Sequence, residues 1–247
     1  MKQSKILMGM TIKIEIADKN ADEKVFNKIF AYFDEIDKRF STYKEESEIS
    51  KINRGELKKE NWSKEMKEVF ELSEKTKKET DGYFDIKKPD GKYDTSGLVK
   101  GWAIWEAANI LKTNGFNNFY VDAGGDIQAF GKNEKNEPWS IGIRNPFRPE
   151  EIIKKIILED KGIATSGTYV RGQHIYNPKK PNETIDDIVS LTVIGPNVYE
   201  ADRFATAAFA MGEKGIYFIE NLPDFEGYMV DKNGIAKMTT GFEKYAI

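Results

Sequence analysis

Apolar and polar residues alternate along the start of the chain. From Ile6 to Ala17, the side chains of Ile12, Ile14 and Ile16 fall between polar neighbours. A period of two residues is typical of a half-buried strand. Over residues 22–40 the apolar spacing changes to three and four, which is typical of one face of a helix. The positions on this face are Val25, Phe26, Ile29, Phe30, Phe33, Ile36 and Phe40. The pattern therefore predicts a strand followed by a long amphipathic helix.

Further along the chain, the same two patterns recur without a fixed rhythm. Helical spacing predicts helices over residues 63–80, 98–111 and 200–211, and Ser63 is suited to cap the first of them. Strand-like runs cover residues 118–122, 126–130, 139–144, 152–158, 188–194 and 226–230. Because strands and helices intermix without a regular βαβ order, we expect an α+β fold with a mixed sheet and packed helices. No repeat or linker divides residues 1–247, which predicts a single domain.

Composition and charge exclude several classes of protein. The chain has no cysteine, which excludes disulfides, thiolate zinc sites and cysteine nucleophiles, and its one histidine excludes sites built from several imidazoles. The 38 basic residues are matched by 41 acidic ones, so lysine runs are interpreted as solvated helix faces and no nucleic-acid partner is expected. No window approaches 18 apolar residues, so no membrane span is expected. Without a signal-peptide core or a lipid-attachment cysteine, we expect a cytoplasmic protein.

Two glycine-containing segments could contact a ligand. In residues 94–101, hydroxyl groups and Lys100 stand at the predicted start of a helix, where free N–H groups favour an anion. Helix capping alone would also explain Ser96. In residues 122–126, Gly124 and Gly125 would let the backbone approach a ligand closely, although an ordinary hairpin turn needs glycines as well.

Two further segments carry oxygen and nitrogen ligands. Thr165 and Ser166 precede Gly167 and suit a loop that holds phosphate or metal, and His174 follows soon after. The lone histidine fits a functional role and a structural role equally well. Asp202 and Thr206 are spaced i and i+4, so on a helix their oxygens share one face and suit Mg²⁺. Asp202 could instead cap the helix, with Thr206 merely packing.

Taken together and in this order, the four segments resemble the ApbE-type FAD:protein FMN transferases. The resemblance runs from residue 8 to about residue 212, and it includes further short motifs at residues 8–11, 40–43, 47–53 and 82–85. It implies an ApbE-like, T-fold-like α+β fold in which a cleft between two lobes holds the flavin nucleotide. The chain departs from the family beside His174, where Asn177, Lys179 and Lys180 replace the usual residues, and also in length, because only residues 86–93 separate the Phe84-Asp85 pair from the segment that starts at Asp94. The family usually has a longer segment there.

The resemblance also implies an activity and a partner. The family enzymes transfer the FMN half of FAD to a threonine hydroxyl of a target flavoprotein with Mg²⁺ and release AMP. Some members instead hydrolyse FAD to FMN and AMP, and a non-catalytic flavin-binding protein is the remaining alternative.

The resemblance assigns roles to individual residues of this chain. Ala164, through its backbone carbonyl, would ligate Mg²⁺ together with Asp202 and Thr206, and His174 would act as the base. The residues that would contact FAD are Met8, Tyr43, Tyr83, Phe84, Asp85, Asp94, Lys100, Thr165 and Ser166.

Overall fold

A computed structural model describes residues 1–168 and 175–247 of the chain. Its strands are β1 (Lys2–Leu7), β2 (Met10–Ile16), β3 (Phe119–Ala123), β4 (Asp126–Phe130), β5 (Trp139–Arg144), β6 (Ile152–Leu158), β7 (Gly162–Gly167), β8 (Ile188–Gly195), β9 (Glu226–Asp231) and β10 (Ala236–Met238). Its α-helices are α1 (Glu23–Phe40), α2 (Glu48–Asn53), α3 (Lys64–Glu79), α4 (Ser96–Thr113), α5 (Val198–Ala210) and α6 (Gly215–Glu220). Short 3₁₀ helices cover Lys59–Asn61, Gly212–Lys214 and Phe242–Lys244.

Eight strands form one sheet in the order β1-β2-β3-β4-β7-β8-β9-β10, and β5 pairs with β6 in a separate ribbon. The predicted α+β class is confirmed. The sheet is more regular than expected, because every pairing among the described strands is antiparallel. The helices are gathered into two excursions, α1–α4 after β2 and α5–α6 after β8, instead of linking parallel strands.

The two faces of the sheet are covered differently. The predicted alternation in β2 is confirmed, because Ile12, Ile14 and Ile16 are fully buried in the core that α1 and α4 share with the sheet. Ala164 and Val193 lie on the same face, where α5 covers them. The opposite face packs against the β5–β6 ribbon. The sheet is therefore the middle of three layers, with helices on one side and a strand pair on the other.

Local sequence explains where the predicted helices begin. The side chain of Asp22 accepts a hydrogen bond from the Val25 N–H at the start of α1, and Ser63 accepts one from Met66 at the start of α3. Such caps satisfy N–H groups that a helix leaves unpaired at its first turn. The predicted cap at Ser63 is confirmed.

Helices α4 and α5 approach each other closely because α4 carries glycine at the contact. A Cβ atom added to Gly101 would lie 2.5 Å from the Asp202 Cβ and 2.8 Å from the Val198 carbonyl oxygen. One turn earlier, a Cβ on Gly97 would lie 3.0 Å from a methyl carbon of Thr206. The two glycines therefore place Asp202 and Thr206 of α5 directly against the first turns of α4.

Within the part of the chain that is described, no helix combines the length and the apolar character needed to cross a bilayer.

Candidate functional site

A cavity of about 780 Å³ opens where the turns and strand ends of the sheet meet the start of α4. Its walls come from β2, the β3–β4 turn, β5, β7 and the segment between α3 and α4, together with residues of α4 and α5. A volume of this size lies within the range of small-molecule and cofactor sites. The cavity therefore draws on elements from most of the chain.

Nine of the residues singled out from the sequence line this cavity. They are Tyr83, Phe84, Asp85, Asp94, Lys100, Thr165, Ser166, Asp202 and Thr206. They come from four separate stretches of sequence, so it is the fold that brings them together. Convergence of polar groups from distant segments on one cavity is typical of a ligand site.

Three other candidates, Met8, Tyr43 and Ala164, are not among the described residues that line the cavity. Tyr43 is 96% exposed in the connection between α1 and α2. Met8 stands in the β1–β2 turn, where its φ is 53°, and packs against the edge of the helix-side core. Ala164 is fully buried in β7 and packs in the core beside α5. The structure does not bring these three to the cavity.

His174 lies outside the residues that the structure describes. Described residues close to both ends of residues 169–174 line the cavity. Gly167 lines it before the gap, and Ile175, Tyr176 and Pro178 line it afterwards.

Two buried carboxylates and one partly buried ammonium group lie together in the cavity wall. The Lys100 ammonium group forms an ion pair with the Asp126 carboxylate, and its Nζ lies 3.7 Å from Oδ1 of Asp202. The Gly101 N–H donates a hydrogen bond of 2.7 Å to Oδ2 of Asp202, and the Thr165 N–H donates one of 3.0 Å to Oδ1 of Asp126. Two buried carboxylates thus share the ammonium group of Lys100.

This arrangement sets the electrostatics of Asp202. Burial raises the pKa of Asp202 to about 7, because a carboxylate in the protein interior loses its hydration. The positive charge of Lys100 opposes this increase, whereas the negative charge of Asp126 adds to it. A second positive charge at this point would favour the ionised form of both carboxylates. The wall is therefore suited to accept a cation.

Thr206 and Gly97 contribute oxygen atoms to the same cavity wall as the carboxylate of Asp202. Thr206 follows one turn later on α5, and its hydroxyl donates a hydrogen bond of 3.1 Å to the carbonyl oxygen of Gly97. Carboxylate, hydroxyl and carbonyl oxygens are hard ligands of the kind that Mg²⁺ prefers. Among the described residues, no group of three or more histidine, aspartate or glutamate side chains could hold a metal by itself. A cation here would therefore complete its shell with water or with oxygens of the substrate.

Sequence reasoning missed Asp126 and Gly97 as site residues. Asp126 is 1% exposed and directly follows the glycine pair of the β3–β4 turn, so an acidic residue after two glycines was the available signal. Gly97 contributes its backbone carbonyl oxygen, which no side-chain pattern marks. The only signal was the glycine itself, because the absence of a side chain lets α5 approach.

The described wall carries five aspartates and four basic residues, the latter being Lys13, Lys88, Lys100 and Arg144. At the side formed by β2 and β3, Asp122 accepts a hydrogen bond of 2.8 Å from the Gly125 N–H. Burial raises the pKa of Asp122, and the charges of Lys13 and Arg144 oppose this increase. The described cavity wall therefore has no excess of positive charge for an anionic ligand.

Comparison with known proteins identifies the family. The model of the ApbE family matches residues 8–88 and 86–229, which together cover most of the chain. The chain belongs to the ApbE family. The resemblance stated from the sequence is therefore confirmed. The two matched segments overlap at residues 86–88, within the segment that separates the Phe84-Asp85 pair from Asp94.

Individual ApbE relatives agree with this assignment. The chain is 32% identical to the FAD:protein FMN transferase of Vibrio cholerae over 167 residues, which are 64% of this chain but only 48% of that relative. It thus spans about half the length of that protein. It is 23% identical to the FAD:protein FMN transferase of Haemophilus influenzae over 96% of this chain and 89% of the relative. The crystal structure of the ApbE protein of Thermotoga maritima superposes with a TM-score of 0.88 at 22% identity, covering 100% of this chain and 99% of that one, and shows the same fold.

Proposed function

We propose that this protein transfers the FMN half of FAD to a threonine hydroxyl of an acceptor flavoprotein and releases AMP. The observation that carries the proposal is the convergence of nine residues, chosen from the sequence for this chemistry, on one cavity of about 780 Å³. The names of the relatives in Vibrio cholerae and Haemophilus influenzae support the same reaction.

Mg²⁺ is the cation that this proposal assigns to the wall of α4 and α5. The carboxylate of Asp202, the hydroxyl of Thr206 and the carbonyl oxygen of Gly97 would hold it. The Gly97 carbonyl takes the place that the family resemblance gave to the Ala164 carbonyl, because Ala164 packs in the core and is not among the described cavity-lining residues. When bound, Mg²⁺ would neutralise phosphate oxygens and make the transferred phosphorus more electrophilic. The donor set fits this ion, and a wall with five aspartates against four basic residues would leave the charge of the FAD pyrophosphate to be balanced by a further cation.

The residues of α4 would bind and orient the pyrophosphate. Ser96 and Gly97 line the cavity at the start of α4, where the helix directs its positive end toward bound anions. Lys100 stands one turn further on and adds a full positive charge. The ion pair with Asp126 holds the ammonium group of Lys100 inside the wall.

His174 is assigned the role of the base that takes the proton from the acceptor threonine. The threonine oxygen attacks the FMN phosphorus, the bond from that phosphorus to the bridging oxygen breaks, and AMP leaves with the electron pair. A base near the reacting oxygen is needed because a hydroxyl is a weak nucleophile, and such a base typically contributes 10²–10⁴-fold. Support comes from Gly167 and Ile175, the cavity-lining residues that flank the undescribed segment.

The test incubates the purified protein with FAD, MgCl₂ and a flavoprotein domain that carries a candidate acceptor threonine. The account predicts a fluorescent acceptor band in a denaturing gel together with released AMP. Both products should disappear with EDTA and return with excess Mg²⁺. Release of AMP without a fluorescent band, across acceptor domains, would instead identify an FAD pyrophosphatase. FAD binding without either product would identify a non-catalytic flavin-binding protein.

A further inference from the structure

The segment between α3 and α4 forms a hairpin over residues 87–93 at the rim of the cavity. Lys87 and Tyr93 form a β-bridge, and the Lys88 N–H donates a hydrogen bond of 2.8 Å to the Lys92 carbonyl oxygen. Gly91 closes the turn with a φ of 82°, a conformation that favours glycine. Lys88 lines the cavity and is exposed. We call this segment the lysine hairpin.

Hydrogen bonds from two other parts of the chain fix the lysine hairpin in place. The side chain of Asn53, at the end of α2, accepts a hydrogen bond of 2.8 Å from the Tyr93 N–H and donates one of 2.9 Å to its carbonyl oxygen. The Tyr176 hydroxyl donates to the Lys87 carbonyl oxygen at 3.2 Å. A segment that is already ordered loses little conformational entropy when it binds a partner.

The lysine hairpin presents positive charge without local compensation by ion pairs. Lys87, Lys88 and Lys92 are all exposed, and none of them forms an ion pair with a described residue. The acid within the hairpin, Asp90, accepts a hydrogen bond of 3.0 Å from the Lys92 N–H. Lysines nearby behave differently, because Lys77 pairs with Asp85 and Lys179 with Asp81, each at 2.6 Å.

The lysine hairpin stands where the two segments matched by the ApbE family model overlap. They overlap at residues 86–88, and the match continues through the rest of the lysine hairpin. A rigid, charged element at the mouth of a cavity is in contact with whatever enters from outside. The lysine hairpin is therefore placed to contact a protein partner at the mouth of the cavity.

We propose that the lysine hairpin docks an acidic segment of the acceptor protein, next to the hydroxyl that receives the flavin. This inference rests on the proposed function. Lys87 and Lys92 are exposed and are not among the described residues that line the cavity, so their charges lie outside it, where a protein partner would bind. Complementary charge at a rim mainly increases the association rate and the choice of partner, and it weakens with salt.

The test measures binding of two fluorescein-labelled peptides by anisotropy in the presence of FAD. Both peptides have a central threonine, flanked by aspartate and glutamate in one and by asparagine and glutamine in the other. Wild-type protein should bind the acidic peptide about tenfold more tightly at low salt, and about 0.5 M NaCl should remove the difference. The variant K87E/K92E should lose the preference and keep its affinity for FAD. The control K232E/K244E changes the charge equally on exposed residues that do not line the cavity, and it should keep the preference.

Equal binding of the two peptides to wild-type protein would overturn the docking role, as would an acidic preference that survives in K87E/K92E. The transfer assay separates this inference from the proposed function. Flavin transfer by wild-type protein without an acidic preference would overturn the docking role alone. An acidic preference that depends on the lysine hairpin, in a protein that transfers no flavin, would overturn the proposed function and leave the docking of acidic segments standing.

Discussion

Helices α1 and α5 cover the same face of the sheet, but they bury different kinds of side chain. The seven buried residues of α1 are all apolar. Helix α5 buries Asp202 and Arg203 among its alanines and aromatic residues, each at 3% exposure. Burial of a charge costs free energy unless the charge is paired. The difference separates a helix that stabilises the fold from one that also carries a site.

The two buried charges of α5 differ in their partners and in whether they line the cavity. Arg203 is fully engaged away from the cavity, where its guanidinium group pairs with Glu200 and with Glu79 of α3 and donates a hydrogen bond of 3.2 Å to Thr76. Asp202 shares the ammonium group of Lys100 with Asp126 and lines the cavity. The buried charge of α5 that shares its ion-pair partner with a second carboxylate is thus the one that lines the cavity.

The largest expected effect on stability comes from the apolar helix. Phe33→Ala should lower the free energy of unfolding by about 3–5 kcal/mol, because Phe33 is fully buried in the helix-side core and the smaller side chain leaves a cavity. Urea unfolding measures the change. Glu35→Ala on the exposed side of α1 is the control and should change stability by less than about 0.5 kcal/mol. Flavin transfer per folded Phe33→Ala molecule should match wild type, and a strong loss there would contradict the division of roles.

A smaller effect on stability is expected at the contact between α4 and α5. Gly101→Ala should lower the free energy of unfolding by about 1–3 kcal/mol, because the added methyl group would lie 2.5 Å from the Asp202 Cβ and force the helices apart. The same displacement should slow flavin transfer, since it moves Asp202 within the wall. Thr113→Ala, on the exposed end of α4, is the matched control. An unfolding midpoint and transfer rate equal to wild type in Gly101→Ala would show that the close contact is not required.

The smallest effect depends on pH. Because burial raises the pKa of Asp122, the folded state binds a proton more tightly than the unfolded state. The contribution of Asp122 to the free energy of unfolding is therefore fully present below its pKa in the unfolded state, and it is lost as pH rises through its pKa in the folded state. Asp122→Asn should be more stable than wild type at pH 7 by about 1 kcal/mol or less, and equal to it near pH 3. Unfolding at both pH values measures this, and a less stable variant at pH 7 would refute it.

Helices and strands with one buried face were predictable, because their apolar residues recur in the sequence at a regular spacing. Helices α1 and α3 follow their apolar stripes, and their caps stand where the pattern begins. The strand predicted from residue 6 onward is instead divided by the Met8–Gly9 turn into β1 and β2. Most of β1 is exposed and carries little apolar signal. Residues 164–167, expected as a loop, belong to β7, whose small side chains leave room for α5.

Most side chains of the site were predictable from the sequence, but the Gly97 carbonyl and the ion pair between Asp126 and Lys100 were not. Asp202 and Thr206 follow from helical spacing, which is local. The meeting of Asp126 with Lys100 depends on a strand turn and a helix start that only the fold brings together. The exposure of Tyr43 likewise depends on how the α1–α2 connection leaves the core, which no local pattern records.

The central claim is that the buried carboxylate of Asp202 serves flavin transfer and is not needed for folding. The direct measurement compares wild type with Asp202→Asn for the rate of Mg²⁺-dependent transfer and for the midpoint of thermal unfolding. Asparagine keeps an oxygen for the Gly101 N–H but removes the charge that burial disfavours. The account predicts transfer slower by about 100-fold or more, with an unfolding midpoint equal to or above that of wild type. Wild-type transfer by folded Asp202→Asn protein would contradict it.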